Sequence, residues 1–408
     1  MATDIEDWLN APYLQKLLRN VEKDETVEVS EIVIKGATAK GDNYASDMFR
    51  VTVDISRIRN GAEINEKESF MVKVAPVDQR AAVISAVGIF VTELSLMQTL
   101  LPKMNKIIEN ACPGRRLSAR CLRVQFESPT HAIMEDLSTI GFRMADRHSG
   151  LDLEHCLVAV RNLGRFHATS VALVEEEPDI LANYTKGMYH KDQHPMMTEF
   201  FATSLKSFAK EAARWSELSP RTIEKLKKLP EVLYNKASVS CEYSEGDFTV
   251  LNHGDCWVNN MLFRYDEHQK PIEHIFVDFQ LSHRGSPAED LHYFFGTSPS
   301  DEVRIYHRDL LLREYHTSLT STMVQLNCKT EIPSFKQLTE HMRKREICEV
   351  IATMTVLPIT VLEKGEEIDI AEMLDSDGTY ENPSYRGKTY RRIMTRLLPL
   401  YDSHGLLD

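Results

Sequence analysis

The chain has no Cys-x-x-Cys pair, and its seven cysteines, at positions 112, 121, 156, 241, 256, 328 and 348, are odd in number and scattered. That pattern argues against a disulfide framework and a thiolate zinc site, so reduced thiols are expected. Long apolar runs are also missing. The longest, near Ala81 to Val91, is too short to cross a bilayer. The first residues, Met1 to Trp8, are acidic where a secretory signal is basic and then apolar, which makes the cytoplasm the expected location. Basic charge is in deficit, with 48 Lys and Arg against 61 Asp and Glu and a formal charge of −13 spread without long blocks. Nucleic-acid and anionic-membrane partners are therefore not expected. There is no internal repeat and no low-complexity linker, and 408 residues suffice for two lobes with real cores.

The most informative stretch is His253-Gly254-Asp255, followed by Asn260 and then by Asp278-Phe279-Gln280. Phosphoryl transfer needs one carboxylate to orient the attacking hydroxyl, and a second carboxylate with an amide oxygen to hold magnesium against the phosphates; these residues come in that order. Asn260 lies five residues after Asp255, so a short loop can turn its amide toward a metal. Met261 to Tyr265, a turn over Asp266 to Pro271, and the apolar Ile275-Phe276-Val277 predict a hairpin. Such a hairpin carries Asp278 back beside Asn260, where two oxygen donors can share one hard cation.

The amino-terminal third supplies a complementary pattern. Val27 to Ile34 and Asp47 to Ile55 alternate like strands around Gly36 to Ser46, a Gly-rich and small-residue turn that could bring backbone amides to phosphate oxygens. A third strand, Phe70 to Ala75, places Lys73 in an apolar run, where an unpaired ammonium is costly. Glu93, on a helix predicted from Ala81 to Leu101, is its expected partner, and the pair would aim the lysine at phosphates.

Gly41-Asp42-Asn43-Tyr44-Ala45-Ser46, Met134-Glu135-Asp136-Leu137-Ser138, Gly141-Phe142, Asp146-Arg147, Phe166-His167-Ala168, Ser170 and His253 to Asn260 together resemble the ecdysteroid kinase-like proteins of insects. Asp278-Phe279-Gln280, Gly285-Ser286-Pro287 and Asp290-Leu291 continue the resemblance over nearly the whole chain. That family resembles aminoglycoside and choline kinases. The resemblance implies an α+β, bilobal protein-kinase-like fold, with a small β-rich amino-terminal lobe and a larger, mainly helical carboxy-terminal lobe. It implies ATP and Mg2+ as cofactors. Asp255 would be the catalytic base, Asn260 and Asp278 the magnesium ligands, and Lys73 with Glu93 the phosphate-positioning pair. Gly41, Asn43, Tyr44 and Ser46 would form the phosphate loop. Met134 would back the adenine pocket, with the Glu135 carbonyl and Leu137 amide bonding the base.

Departures from protein kinases shape the expectation further. Gly254 stands where those enzymes carry Arg, Gln280 replaces the Gly of the metal triplet, and no Ala-Pro-Glu segment is present, so neither activation-loop regulation nor a protein substrate is expected. Trp257 stands where protein serine kinases usually place a lysine; it either leaves transition-state charge to Lys73 and the metals or walls the acceptor pocket. Cys256 reads as packing filler.

The expected organisation is a nucleotide-binding lobe over residues 1–134, a hinge at 135–138, and a catalytic and acceptor-binding lobe over 139–408. Strands four and five are Leu117 to Glu127 and Ala132 to Glu135. Leu157 to Ser170 is a core helix with His167 a satisfied core histidine; Asp290 to Phe294 is amphipathic; Glu346 to Val361 and Lys388 to Leu397 are further helices. His274, His283 and His292 lack ligand spacing. Asp375-Ser376-Asp377-Gly378 is a plain acidic turn, since a calcium loop would put Met373 and Ser384 at its ends.

The acceptor expected is a small molecule, apolar and hydroxylated. Tyr184, Met188, Tyr189, Met196, Met197, Phe200 and Phe201 either line its pocket or are core. A choline-like or aminoglycoside-like acceptor, which would favour a carboxylate-lined cleft, and a catalytically silent binding module are the alternatives. Retention of Lys73, Glu93, Asp255, Asn260 and Asp278 argues against the last.

Overall fold

The computed structural model describes residues 5–37, 46–78, 80–362 and 381–408. The acidic turn at 375–378 lies outside them. The chain divides into two compact units, residues 1–103 with 118–142, and residues 104–117 with 143–408.

In the first unit, α1 (Ala11–Glu22) starts where the Asn10 side chain accepts from the Tyr13 amide at 3.1 Å. Its Leu14 and Leu18, one turn apart, bury against an antiparallel sheet built from β1 (Glu28–Gly36), β2 (Asp47–Arg59), β3 (Ala62–Val74), β4 (Cys121–Gln125) and β5 (His131–Glu135). The strand order is β1-β2-β3-β5-β4. Alternation explains the buried face: Val51, Val53 and Ile55 of β2 pack with Phe70, Val72 and Val74 of β3.

β2 and β3 run well beyond the apolar alternation. They meet at Asn60-Gly61, with φ of 53° and 79°. Two consecutive positive φ angles are what a type I′ two-residue hairpin turn requires. The extension buries Arg57, which bonds to Glu68 at 2.6 Å and to Glu22, and lies 3.4 Å from Glu66. The single helix expected from Ala81 to Leu101 is broken. α2 (Arg80–Val87) and α3 (Ile89–Ser95) are split by Gly88, whose φ of 76° no continuous right-handed helix contains, and a π turn at Leu96–Leu100 precedes α4 (Leu101–Ala111).

The second unit is mainly helical. α5 (Leu153–Glu176), α6 (Pro195–Ala212) and α7 (Pro220–Cys241) precede β6 (Val250–Asn252), the hairpin of β7 (Met261–Tyr265) and β8 (Pro271–Phe276), and β9 (His283–Gly285), which pairs with β6. α8 (Ala288–Thr297), α9 (Arg308–Gln325), α10 (Phe335–Thr355) and α11 (Lys388–Ser403) follow. α8 is not amphipathic: every one of its residues is buried, and its charged side chains are neutralised by partners inside the unit. α10 stops before Pro358 instead of reaching Val361. Cys241 and Cys348, 107 residues apart in sequence, meet with sulfurs 3.4 Å apart as free thiols. Among the described residues no helix is long and apolar enough to cross a membrane.

α5 and α9 approach closely at Gly164, where an added Cβ would lie 2.8 Å from the Tyr315 carbonyl oxygen and 2.9 Å from the Leu319 nitrogen. Gly164→Ala is expected to push these helices apart and lower stability by about 1–3 kcal/mol in chemical denaturation. An unchanged midpoint would show that the contact yields freely.

Candidate active site

Neighbours Val72 and Val74 face the core of the first unit, so the pleat turns Lys73 to the other side of β3. Its ammonium is nevertheless buried and donates to Glu93 Oε2, from α3, at 2.5 Å. Pairing is what makes two buried charges tolerable. Ser46 is buried as well; Gly41, Asn43 and Tyr44 lie outside the described residues.

β5 delivers the buried Met134, and β5 ends on Glu135, whose Oε1 accepts from the Arg120 amide at 2.5 Å. The turn that follows is pinned by Asp136. Its Oδ1 accepts from the Ser138 amide at 3.1 Å and hydroxyl at 2.6 Å, and its Oδ2 from Ser69 at 2.8 Å and Arg50 at 2.7 Å. Burial opposes ionisation of Asp136, but these donors outweigh it and hold the carboxyl below its ordinary range. Leu137 is buried within the turn so fixed. The hinge expected at 135–138 gives Asp136 no separate role, although Asp-x-Ser is a side-chain turn signal.

In the second unit β6 runs into the loop His253–Asn260. Gly254 has φ of +82°, and a Cβ there would lie 2.0 Å from the Leu281 carbonyl oxygen. No side chain fits, which explains physically why an Arg is missing from this position. His253 is fully buried, and burial pushes its pKa down. Its Nε2 donates to the Val277 carbonyl at 3.0 Å while its Nδ1 accepts from the Asp255 amide at 3.3 Å, so one neutral tautomer satisfies both contacts.

Asp255 Oδ1 accepts from the Tyr293 hydroxyl at 2.6 Å, and Oδ2 from Asn260 Nδ2 at 2.9 Å. The same Asn260 nitrogen donates to the Asp255 carbonyl at 3.0 Å. Burial pushes the Asp255 carboxyl up to about 7; the Tyr293 and Asn260 donors oppose this, and the charges of Asp278 and Asp290 reinforce it. The Val277 amide donates to the Asn260 carbonyl at 3.0 Å, extending the β7–β8 pairing in which Met261 faces Phe276. The hairpin thus returns Asp278 beside Asn260, as its spacing predicts. Asp278 itself adopts φ of +67°, an uncommon backbone for a residue other than glycine and a frequent mark of functional sites.

Beneath the loop lies Asp290 of α8, 1% exposed. One oxygen accepts from the His253 amide at 2.6 Å and from His167 Nε2 at 3.1 Å, the other from the Gly254 amide at 2.8 Å. These donors overcome the opposing effect of burial and hold the Asp290 carboxyl below its ordinary range. His167 Nδ1 in turn meets the Tyr315 hydroxyl at 2.7 Å, a satisfied core histidine as read from the sequence. Asp290 and Tyr293 have no local sequence signal for these roles, since their contacts with the loop span 36 to 38 residues.

The remaining candidates sort by burial. Cys256 is fully buried with its thiol pushed well up by burial, which fits packing. Trp257 is half-buried, and its indole nitrogen has no hydrogen-bond partner. Tyr184, Met188, Tyr189 and Phe201 belong to the core, whereas Met196, Met197 and Phe200 are half-buried. His283 pairs with Glu289 at 2.9 Å and His292 with Glu349 at 2.7 Å, and among the described residues no group of three His, Cys, Asp or Glu side chains could hold a metal by itself. The donor set at the hairpin suits a different kind of cation. With the Asn260 nitrogen committed to Asp255, its amide oxygen and the Asp278 carboxylate are the two hard oxygens that could hold such a cation. Magnesium, which keeps several of its own waters, needs no more from the protein.

A five-stranded sheet carrying a buried Lys–Glu pair, and a mainly helical unit carrying an Asp–Asn loop followed by a hairpin and a second Asp, define a kinase-like α+β fold. The chain belongs to the ecdysteroid kinase-like family, whose model matches residues 40–328. No curated protein matches it. Solved structures similar to it include an amicoumacin kinase in complex with AMP-PNP and Ca2+, 10% identical, covering 94% of this chain and 98% of that one at a TM-score of 0.39. Another is a glucosamine kinase in complex with glucosamine, ADP and inorganic phosphate, 14% identical, covering 86% and 80% at a TM-score of 0.35.

Gly254→Ala combines a left-handed backbone with a backbone clash. It is expected to cost about 2–5 kcal/mol and to displace His253 and Asp255. Thermal unfolding checks this, and a variant as stable as the parent would mean that the loop has an alternative conformation.

Proposed function

We propose that this protein is an ATP- and magnesium-dependent kinase that phosphorylates a hydroxyl of a small molecule, an ecdysteroid or another steroid-like lipophilic alcohol. The observation that carries the kinase reading is the Asp255 carboxylate, gripped by Tyr293 and Asn260 and followed through the hairpin by Asp278. Asp255 orients the acceptor hydroxyl and takes its proton as the oxygen attacks. A base serves best with a pKa near the working pH, and burial sets Asp255 there before any cation draws it down. Asn260 and Asp278 would hold magnesium, which when bound neutralises charge on the phosphates. Lys73, paired with Glu93, is assigned to positioning phosphates. The Glu135–Leu137 turn, fixed by Asp136, bonds the adenine against Met134. Trp257 carries an indole N–H without a partner, which an acceptor or phosphoryl oxygen would supply.

Family membership is the main support for a lipophilic acceptor, with the half-buried Met196, Met197 and Phe200 as side chains able to adapt to it. The buried Tyr184, Met188, Tyr189 and Phe201 stabilise the unit instead. We place the protein in the cytoplasm, in keeping with its free thiols.

Asp255→Asn is expected to leave magnesium–ATP binding near the parent level in calorimetry while slowing transfer at least a hundredfold, about the size of a general-base contribution. Asp278→Ala is expected to weaken the magnesium-dependent part of nucleotide binding. Transfer by Asp255→Asn at near the parent rate, or unaltered magnesium dependence in Asp278→Ala, contradicts the respective assignment.

In a mixed panel assayed by mass spectrometry, at least one hydroxylated steroid gains a phosphate from ATP, with little transfer to peptides, choline or aminoglycosides. Its affinity depends only weakly on salt, because apolar area and not ion pairing holds it. Preference for a cationic acceptor, collapsing with salt, would overturn the acceptor while leaving the kinase reading intact.

A further inference from the structure

Arg161 and Arg165 sit one turn apart on α5. With Arg115 and Arg116, from the chain after α4, they line a cavity of about 120 Å³ whose wall includes Asn162 and His274. That is ample room for more than one water, which needs roughly 10–15 Å³. Four arginines thus share one lining, and the charges of Arg115, Arg161 and Arg165 act on one another. The one carboxylate in the lining, Glu273, is already bonded to Arg264. Arg161 is partnered by Glu314 at 2.8 Å, but the guanidinium groups of Arg115 and Arg165 have no ion pair among the described residues. Burial holds the Arg165 guanidinium below its ordinary value, and the neighbouring charges of Arg115 and Arg161 push the same way. Cys112 offsets this only in part.

A second, independent feature lies in the same wall. His274 is 2% exposed, and its Nε2 has no hydrogen-bond partner. Asn162 Nδ2 stands 3.2 Å from the other ring nitrogen and can only donate to it, so the proton of the neutral ring sits on Nε2 as an unused donor. Buried donors without partners are rare, and an ion or water is the usual explanation.

We propose that this cavity is a binding site for a small oxyanion of the phosphate class, held chiefly by Arg115, Arg161 and Arg165 and separate from the residues assigned to transfer. Guanidinium groups match phosphate oxygens in pairs, and an anion removes the repulsion between the arginines. The cavity is too small for a nucleotide. His274 lies on β8, four residues before Asp278, so an occupant bears on the strand that delivers a proposed metal ligand.

The test follows thermal unfolding of the full chain in inorganic phosphate, in glycerol phosphate, and in chloride of matched ionic strength. Phosphate or its ester raises the melting temperature of the parent and chloride does not; whichever acts at lower concentration identifies the source of the group. Affinity falls about ten- to a hundredfold in Arg165→Gln and in the exposed Arg115→Gln, the loss of a charge-assisted bond, while Lys73→Met, at the proposed nucleotide site, responds like the parent. Without phosphate, Arg165→Gln melts no lower than the parent, because it removes an unpartnered, repelled charge. No phosphate effect on the parent, or an equal effect on parent and both arginine variants as from an adventitious ion only, overturns the proposal. An Arg165→Gln variant that is less stable in every buffer with unchanged phosphate affinity also overturns it, marking a structural arginine.

Discussion

The proposed catalytic loop depends on one buried carboxylate. Asp290 has little contact with water and stays ionised because the His253 and Gly254 amides and His167 converge on it. Those two amides belong to a backbone that includes a left-handed glycine, a conformation with no helix or sheet to hold it. Without Asp290 they would be buried donors lacking partners, a state costing about 1–3 kcal/mol each. The carboxylate therefore substitutes for secondary structure, and the position of Asp255 follows from it. Tyr293, three residues further along α8 and on the same helical face, then grips Asp255 directly. The other faces of α8 are buried as well, His292 bonding Glu349 and the Met342 carbonyl of α10.

The same logic operates in the first unit with different residues. Lys73 and Glu93 are buried charges that hold each other, and Asp136 is a buried carboxylate that gathers four donors around the turn after β5. Such ionic contacts contribute modestly to net stability, since desolvation offsets much of the attraction. Their value lies in geometry: removing one partner leaves a charge that the surroundings cannot solvate, so few alternative arrangements compete. A phosphotransferase needs that quality, because its chemistry is mostly positioning.

Much of this is legible in the sequence, and the exceptions have physical causes. The hairpin that returns Asp278 to Asn260 follows from turn residues between two apolar runs, and the Lys73–Glu93 pair follows from a charge stranded in an apolar strand. The long β2–β3 ribbon is hidden because Arg57 interrupts the alternation, and its partners are Glu66 and Glu68 across the hairpin and Glu22 from α1. Asn60-Gly61 signals that turn, but the polar residues flanking it mask the strands. Gly88 splits a helix that its apolar content predicts to be continuous. α8 looks amphipathic because its charged residues are paired internally and not solvated. The meeting of Cys241 with Cys348 and of Tyr293 with Asp255 depends on tertiary packing that no local pattern encodes.

Hydrogen exchange at the His253 and Gly254 amides tests the dependence on Asp290 most directly. Both amides are bonded to a buried carboxylate, each to its own oxygen, so they should exchange slowly in the parent, and at least one of them about tenfold faster in Asp290→Asn, which keeps a single acceptor oxygen. Unchanged protection in that variant would show that the loop holds its shape without Asp290 and would contradict the account.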